Sequence, residues 1–165
     1  MTAPLPTVHA SAVLVGAHAV LIRGRSGSGK SRLALALIEA AGTRLLPFAR
    51  LVADDRVLLE ASHGRLLVSA PAALAGLIEV HGLGIRRLPH EPLAVVGLVI
   101  DLAANDAQRW PTPQRSMAVV GGVRLPRVAV AAGADPLPLV LALLQTEETG
   151  LRAAALAGDR RPAEK

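Results

Sequence analysis

Gly24-Arg25-Ser26-Gly27-Ser28-Gly29-Lys30-Ser31 matches the pattern G-x-x-x-x-G-K-[ST] in full. Glycines let backbone N–H groups converge on phosphate oxygens without a Cβ in the way, and the helix that follows presents its positive end. Lys30 supplies a mobile point charge for β- and γ-phosphates, and the Ser31 hydroxyl suits Mg²⁺. Arginine provides every basic residue of the chain except Lys30 and Lys165, so the lysine in the loop stands against the chain's own drift. The segment reads as a cradle for a nucleotide or polyphosphate.

Phosphoryl chemistry also asks for a carboxylate at a strand end, to hold Mg²⁺ or its water or to take a proton. Pattern offers two places: Asp54 and Asp55 after ARLVA, and Asp101 after VVGLVI. The pair is favoured, because adjacent carboxylates repel each other unless they share a cation or a proton. Asp101 reads as a strand-ending cap. Glu79 stands in Leu77-Ile78-Glu79-Val80, just before Gly82-Leu83-Gly84. Those glycines allow a backbone to approach a ligand closely, so Glu79 is a candidate metal ligand. His9, His18, His63, His81 and His90 show no metal-ligand spacing, and no G-x-S-x-G elbow supports Ser-His-Asp hydrolysis.

The elements around these residues follow from periodicity and punctuation. SAVLVGAHAVLIR, residues 11–23, reads as two strands around Gly16-Ala17. After the loop, Leu33, Ala34, Leu37, Ile38 and Ala41 recur at helical spacing, and Gly42 is the expected stop. Residues 44–53 resume a β-like pattern into Asp54. Val57–Glu60 and Arg65–Ser69 form an expected hairpin at His63-Gly64. One or two helical turns are expected over 71–77, and a strand-and-glycine segment over 78–85. Leu93–Leu102 reads as a strand buried on both faces. Residues 103–116 form a surface loop, with strands at 117–120 and 127–131. Asp135 caps a helix with Pro136 just inside it, running to about Thr146.

The chain has 165 residues, 52% of them hydrophobic and 19% charged, which suits one packed domain over 1–165 with a helical or frayed tail at 147–165. Cysteine is absent, so disulfides, thiolate metal sites and thiol nucleophiles are excluded. Mean hydropathy is +0.43. The longest apolar run, Leu93–Ile100, nevertheless falls far short of the roughly 20 residues a spanning helix needs. With no basic cluster opening the chain, a soluble cytoplasmic protein without membrane attachment is expected. Net charge is +5 with a pI near 11.2. Phe48 and Trp110 are the only aromatics besides histidine, too few for a base-stacking platform, so an acidic or phosphorylated partner fits better than nucleic acid.

His9-Ala10-Ser11, GRSGSGKS, LVADDR (Leu51–Arg56) and IEVHGLGI (Ile78–Ile85) stand in the order found in the catalytic domain of HPr kinase/phosphorylase, and the resemblance spans roughly residues 9–130. It implies an α/β fold like the nucleotide-binding core of phosphoenolpyruvate carboxykinase, a mixed sheet with the loop helix and a C-terminal helix. It also implies ATP and Mg²⁺, a hexamer, and transfer of phosphate to a regulatory serine of HPr, the small carrier protein of the phosphotransferase system, with phosphorolysis as the reverse reaction. By resemblance Lys30 contacts phosphates, Ser31 and Glu79 ligate Mg²⁺, and Asp55 takes the serine proton, while Asp54 either binds metal or tunes Asp55. His9 matches an early active-site histidine, and Arg109 the arginine after the long loop.

The chain departs from the family in several places. It resembles a short form without the usual N-terminal domain. His81 stands where the family commonly has Arg, and a short insertion separates the loop helix from Asp54. An Arg-rich segment serving phosphorolysis and subunit contacts is replaced by the Arg-free Ala129–Leu139. Two other functions stay open: a kinase of a small-molecule acceptor, and a nucleotide-binding sensor without catalysis.

Overall fold

Short apolar runs broken by glycine, proline and Asp-Asp leave room for many strands and few helices, and a computed structural model, describing residues 6–146, has ten strands and two α-helices among them. In chain order they are β1 (Thr7–Val15), β2 (His18–Arg23), α1 (Lys30–Gly42), β3 (Ala49–Ala53), β4 (Arg56–Ser62), β5 (Arg65–Ser69), β6 (Leu77–Val80), β7 (Gly84–Arg87), β8 (Ala94–Asp101), β9 (Met117–Val120), β10 (Val123–Ala129) and α2 (Pro136–Gln145). The expected tail at 147–165 lies outside the described residues. Among those described, no helix is long and apolar enough to cross a membrane.

The central sheet decides where chemistry is possible. β1 is antiparallel to both β2 and β3, while β2 and β10 each flank β8 in parallel. β3, β2, β8 and β10 therefore run the same way and end along one edge. Arg23 pairs across from Asp101, Asp101 from Ala129, and the incoming β1 sets Ala10 beside Arg23. The crevice outside such strand ends is where α/β sheets bind ligands.

Alternation along the strands buries both faces. Val13, Val20, Ile22, Leu51, Leu98 and Ile100 pack under Leu33, Ala34 and Leu37 of α1 and Val140 of α2. Ala12, Leu21, Val52 and Val99 face the other way, onto Val57, Leu66 and Val68 of the β4–β5 hairpin. That hairpin joins the sheet through the start of β1 and the start of β8, making a second layer. The mixed sheet, the loop helix and the C-terminal helix match the expected architecture.

Details differ in instructive ways. α1 ends at Gly42, but the left-handed residue that turns the chain is Arg44 (φ 63°), and the Thr43 hydroxyl donates to the Ala40 carbonyl at 3.2 Å. The strand expected from 44 starts only at Ala49, because residues 43–47 are spent on that turn. The segment 71–77 holds a single 3₁₀ turn, Ala72–Leu74. Residues 78–85 belong to a two-stranded sheet of their own, β6–β7. Asp135 caps α2 as expected, accepting from the Leu137 N–H at 3.1 Å.

Candidate active site

Between Arg23 at the end of β2 and the first turn of α1, the eight-residue loop is held by its own lysine. Lys30 Nζ donates to the Gly24 and Arg25 carbonyls at 2.8 and 3.0 Å. Burial lowers its pKa, and the nearby charges of Asp55 and Asp54 act in the opposite direction. Gly24 is closely enclosed: a Cβ there would run into Ser28 Oγ, forcing that side chain to move, and lie 3.2 Å from the Leu102 Cβ.

Asp54 and Asp55 are adjacent yet differ in every respect. At the end of β3 the register slips: Ala12 pairs with Ala53 but Val13 with Leu51, so Val52 is an extra residue. Such a bulge re-aims the side chains after it. Leu51 faces the helices and Ala53 the second layer, so Asp54 returns to the helix side. There its carboxylate, only 4% exposed, accepts from the Ser31 hydroxyl (2.8 and 2.9 Å), the Ser11 hydroxyl (2.6 Å) and the Glu79 N–H (3.0 Å). Three donors on one buried carboxylate satisfy the charge that burial would otherwise penalise.

Asp55 takes a left-handed conformation (φ 65°), which Asp tolerates better than most residues. Its Oδ1 is 2.8 Å from His9 Nε2, a contact made where the start of β1 passes the turn. A cavity of about 670 Å³ opens over this pair. Lys30, Ser31, Arg32 and Glu79 border it, and His81 lies at its wall. Lys30 and Ser31 of the glycine-rich loop and an imidazole–carboxylate pair thus share one space.

Asp101, at the end of β8, is closed off. Arg23 Nε and Nη2 donate to its two oxygens at 2.7 and 2.8 Å, and Arg127 Nε donates to Oδ2 at 2.5 Å. Burial raises the Asp101 pKa, but hydrogen bonds and charge from both arginines outweigh it, and the carboxyl is held below its usual range. Arg127 also donates to both Asp106 oxygens, at 2.7 and 2.9 Å, which depresses Asp106 as well and ties the 103–116 loop to β10. The strand-end carboxylates thus differ in their partners: Asp101 faces two arginines, whereas Asp54 faces hydroxyls and a backbone N–H and Asp55 faces His9.

His9, Lys30, Ser31, Asp55 and Glu79 are brought together as expected, and Asp54 joins them from below through Ser31. Arg109 is not: it lies exposed on the 103–116 loop and does not border the cavity. The ordered arginines on this edge are Arg23 and Arg127, which spacing did not reveal. Ser11 was missed as well; its signal is a hydroxyl within an apolar strand, and it is fully buried. For Mg²⁺ the available donors are the oxygens of Ser31, Asp54 and Glu79, a hard set suited to that ion. No group of three His, Asp or Glu side chains among the described residues forms a ready-made cage. That is compatible with Mg²⁺, which keeps waters and substrate phosphates among its ligands.

The sequence profile of the HPr Serine kinase C-terminal domain matches residues 2–89. An HPr kinase/phosphorylase of Clostridium tetani is 41% identical over 87 residues, covering 53% of this chain and 26% of the relative. One from Geobacillus thermodenitrificans is 34% identical over 143 residues, covering 78% of this chain and 43% of the relative. The chain thus spans less than half the length of either. The Hpr(Ser) kinase/phosphatase structure from Coxiella burnetii shares the fold, with a TM-score of 0.67 over 93% of this chain and 94% of that one, at 24% identity. With more than half of its length matched by the profile, the chain belongs to the HPr serine kinase C-terminal domain family.

Proposed function

We propose that this chain transfers the γ-phosphoryl group of ATP to a serine hydroxyl of an HPr carrier protein. The observation that carries the reading is the His9–Asp55 pair facing the cavity that Lys30 and Ser31 also border. With Oδ1 engaged by His9, Asp55 Oδ2 is left to accept the serine proton as the hydroxyl oxygen forms its bond to phosphorus. The oxygen bridging the γ-phosphorus to ADP then leaves with the bond electrons. Lys30, held over the loop, stabilises negative charge on the phosphates. Ser31 and Glu79, with Asp54 behind Ser31, would hold Mg²⁺, which when bound neutralises phosphate charge. Asp54 orients the Ser31 hydroxyl and is itself locked by Ser11.

The test mixes the protein with γ-labelled Mg²⁺-ATP and either HPr or HPr with its regulatory serine replaced by alanine. Label on the unaltered carrier alone is expected. ATP binding without label on either carrier contradicts the reading, and label on a small molecule alone replaces the acceptor.

A further inference from the structure

β1 carries a hydroxyl within its buried stretch, Ala10–Val13. Ser11 alternates with Ala10 and Ala12, which face the second layer, so it lies on the helix side with Val13. It is fully buried, where a hydroxyl without a partner costs free energy. Its partner is Asp54: Ser11 Oγ donates to Asp54 Oδ1 at 2.6 Å. Two residues earlier on the same strand, His9 meets Asp55. β1 therefore supplies one polar side chain to each of the two adjacent acids.

Asp54 is a hub. It stands behind Ser31 and Glu79, which border the large cavity. The Ser31 hydroxyl donates to both of its oxygens, and the Glu79 N–H donates to Oδ2. A serine that gives its proton to a carboxylate keeps its lone pairs for a cation. The last torsion of an aspartate is broad, however, so a carboxylate free to turn would aim neither group. The short bond from Ser11 fixes that rotation. We propose that Ser11 is a positioning residue for the divalent cation: through Asp54 it sets the directions of Ser31 and Glu79. The inference rests on the nucleotide and Mg²⁺ reading above. Loss of Ser11 is felt at the cation and not at the glycine-rich loop, whose lysine is held separately by the Gly24 and Arg25 carbonyls.

Calorimetric titration of the full chain with ADP, in Mg²⁺ and in EDTA, gives the factor by which the cation tightens binding. Ser11→Ala removes the donor, and alanine already fills the buried positions on either side. It is expected to cut that factor about tenfold, within the range for groups behind metal ligands, with affinity in EDTA unchanged. Ser11→Cys, close in size and a weaker donor, is expected to fall between. Asp54→Asn and the double variant complete a cycle. Since Ser11 acts through Asp54, the double variant is expected to lose no more than Asp54→Asn alone. An undiminished factor in Ser11→Ala overturns the proposal. So do equal losses in Mg²⁺ and EDTA, or losses that add in the double variant. Unaltered protein that binds ADP equally in both media overturns the Mg²⁺ reading and the proposal with it, and failure to bind ADP at all overturns the nucleotide reading too.

Discussion

β3 and β8 run the same way and end on the same edge, each delivering a carboxylate to the crevice, but only one delivers it free. At the end of β8, Asp101 is enclosed by Arg23 and Arg127 and its pKa is driven down. At the end of β3, the charge is divided between two neighbours. Asp54 is buried among hydroxyl and amide donors, whereas Asp55 stands exposed against a histidine. Topology places acids at strand ends; the partners decide whether an acid is tied up as a brace, as Asp101 is, or left facing open space, as the proposed base Asp55 is. The brace holds together the start of the glycine-rich loop, the central strand and the 103–116 loop, while Asp55 borders the large cavity.

This contrast yields graded expectations. Asp101→Ala leaves Arg23 without its carboxylate and takes one of two carboxylates from Arg127, and should cost about 3 kcal/mol of unfolding free energy, read by chemical denaturation. Because the folded-state pKa of Asp101 lies below its unfolded value, its contribution is complete above about pH 4 and is lost as pH falls toward the folded value. Asp101→Asn should therefore flatten the acid limb of the stability profile, and an unchanged limb would show that the brace carries no such load.

Gly24→Ala tests the loop between the two regions. The clash with Ser28 should weaken ATP binding by roughly tenfold to a hundredfold, and Ser28→Gly in the same chain should restore part of it. Smaller still is His9→Gln. It keeps a hydrogen-bonding side chain near Asp55 and should lower kcat by about tenfold, with ATP affinity and thermal stability unchanged. A matching loss of ATP affinity would reassign His9 to nucleotide binding.

The loop, its helix and the Asp pair were legible because each rests on local chemistry: glycine spacing, a lysine in an arginine-rich chain, an acidic strand end. The long loop's anchor was not. Arg109 and Arg127 look alike in one dimension, and only the pairing of β10 with β8 places Arg127 beside Asp101. The division of labour between Asp54 and Asp55 was also hidden, since it depends on the extra residue Val52, which appears only when β3 is laid against β1. Ser11 acquires its role through the same pairing. Long-range register sets these features, and spacing along the chain does not carry it.

The most direct test compares Asp55→Asn with Asp101→Asn, each measured for phosphoryl transfer to HPr, ATP affinity and unfolding free energy. Asn tolerates the left-handed turn at 55, so that variant should stay folded and bind ATP while its single-turnover rate falls by about a thousandfold. Asp101→Asn should lose stability, yet its folded fraction should transfer phosphate within a few-fold of the unaltered rate. Full transfer by the Asp55 variant, or a thousandfold loss in folded Asp101→Asn, would contradict the assignment of base and brace.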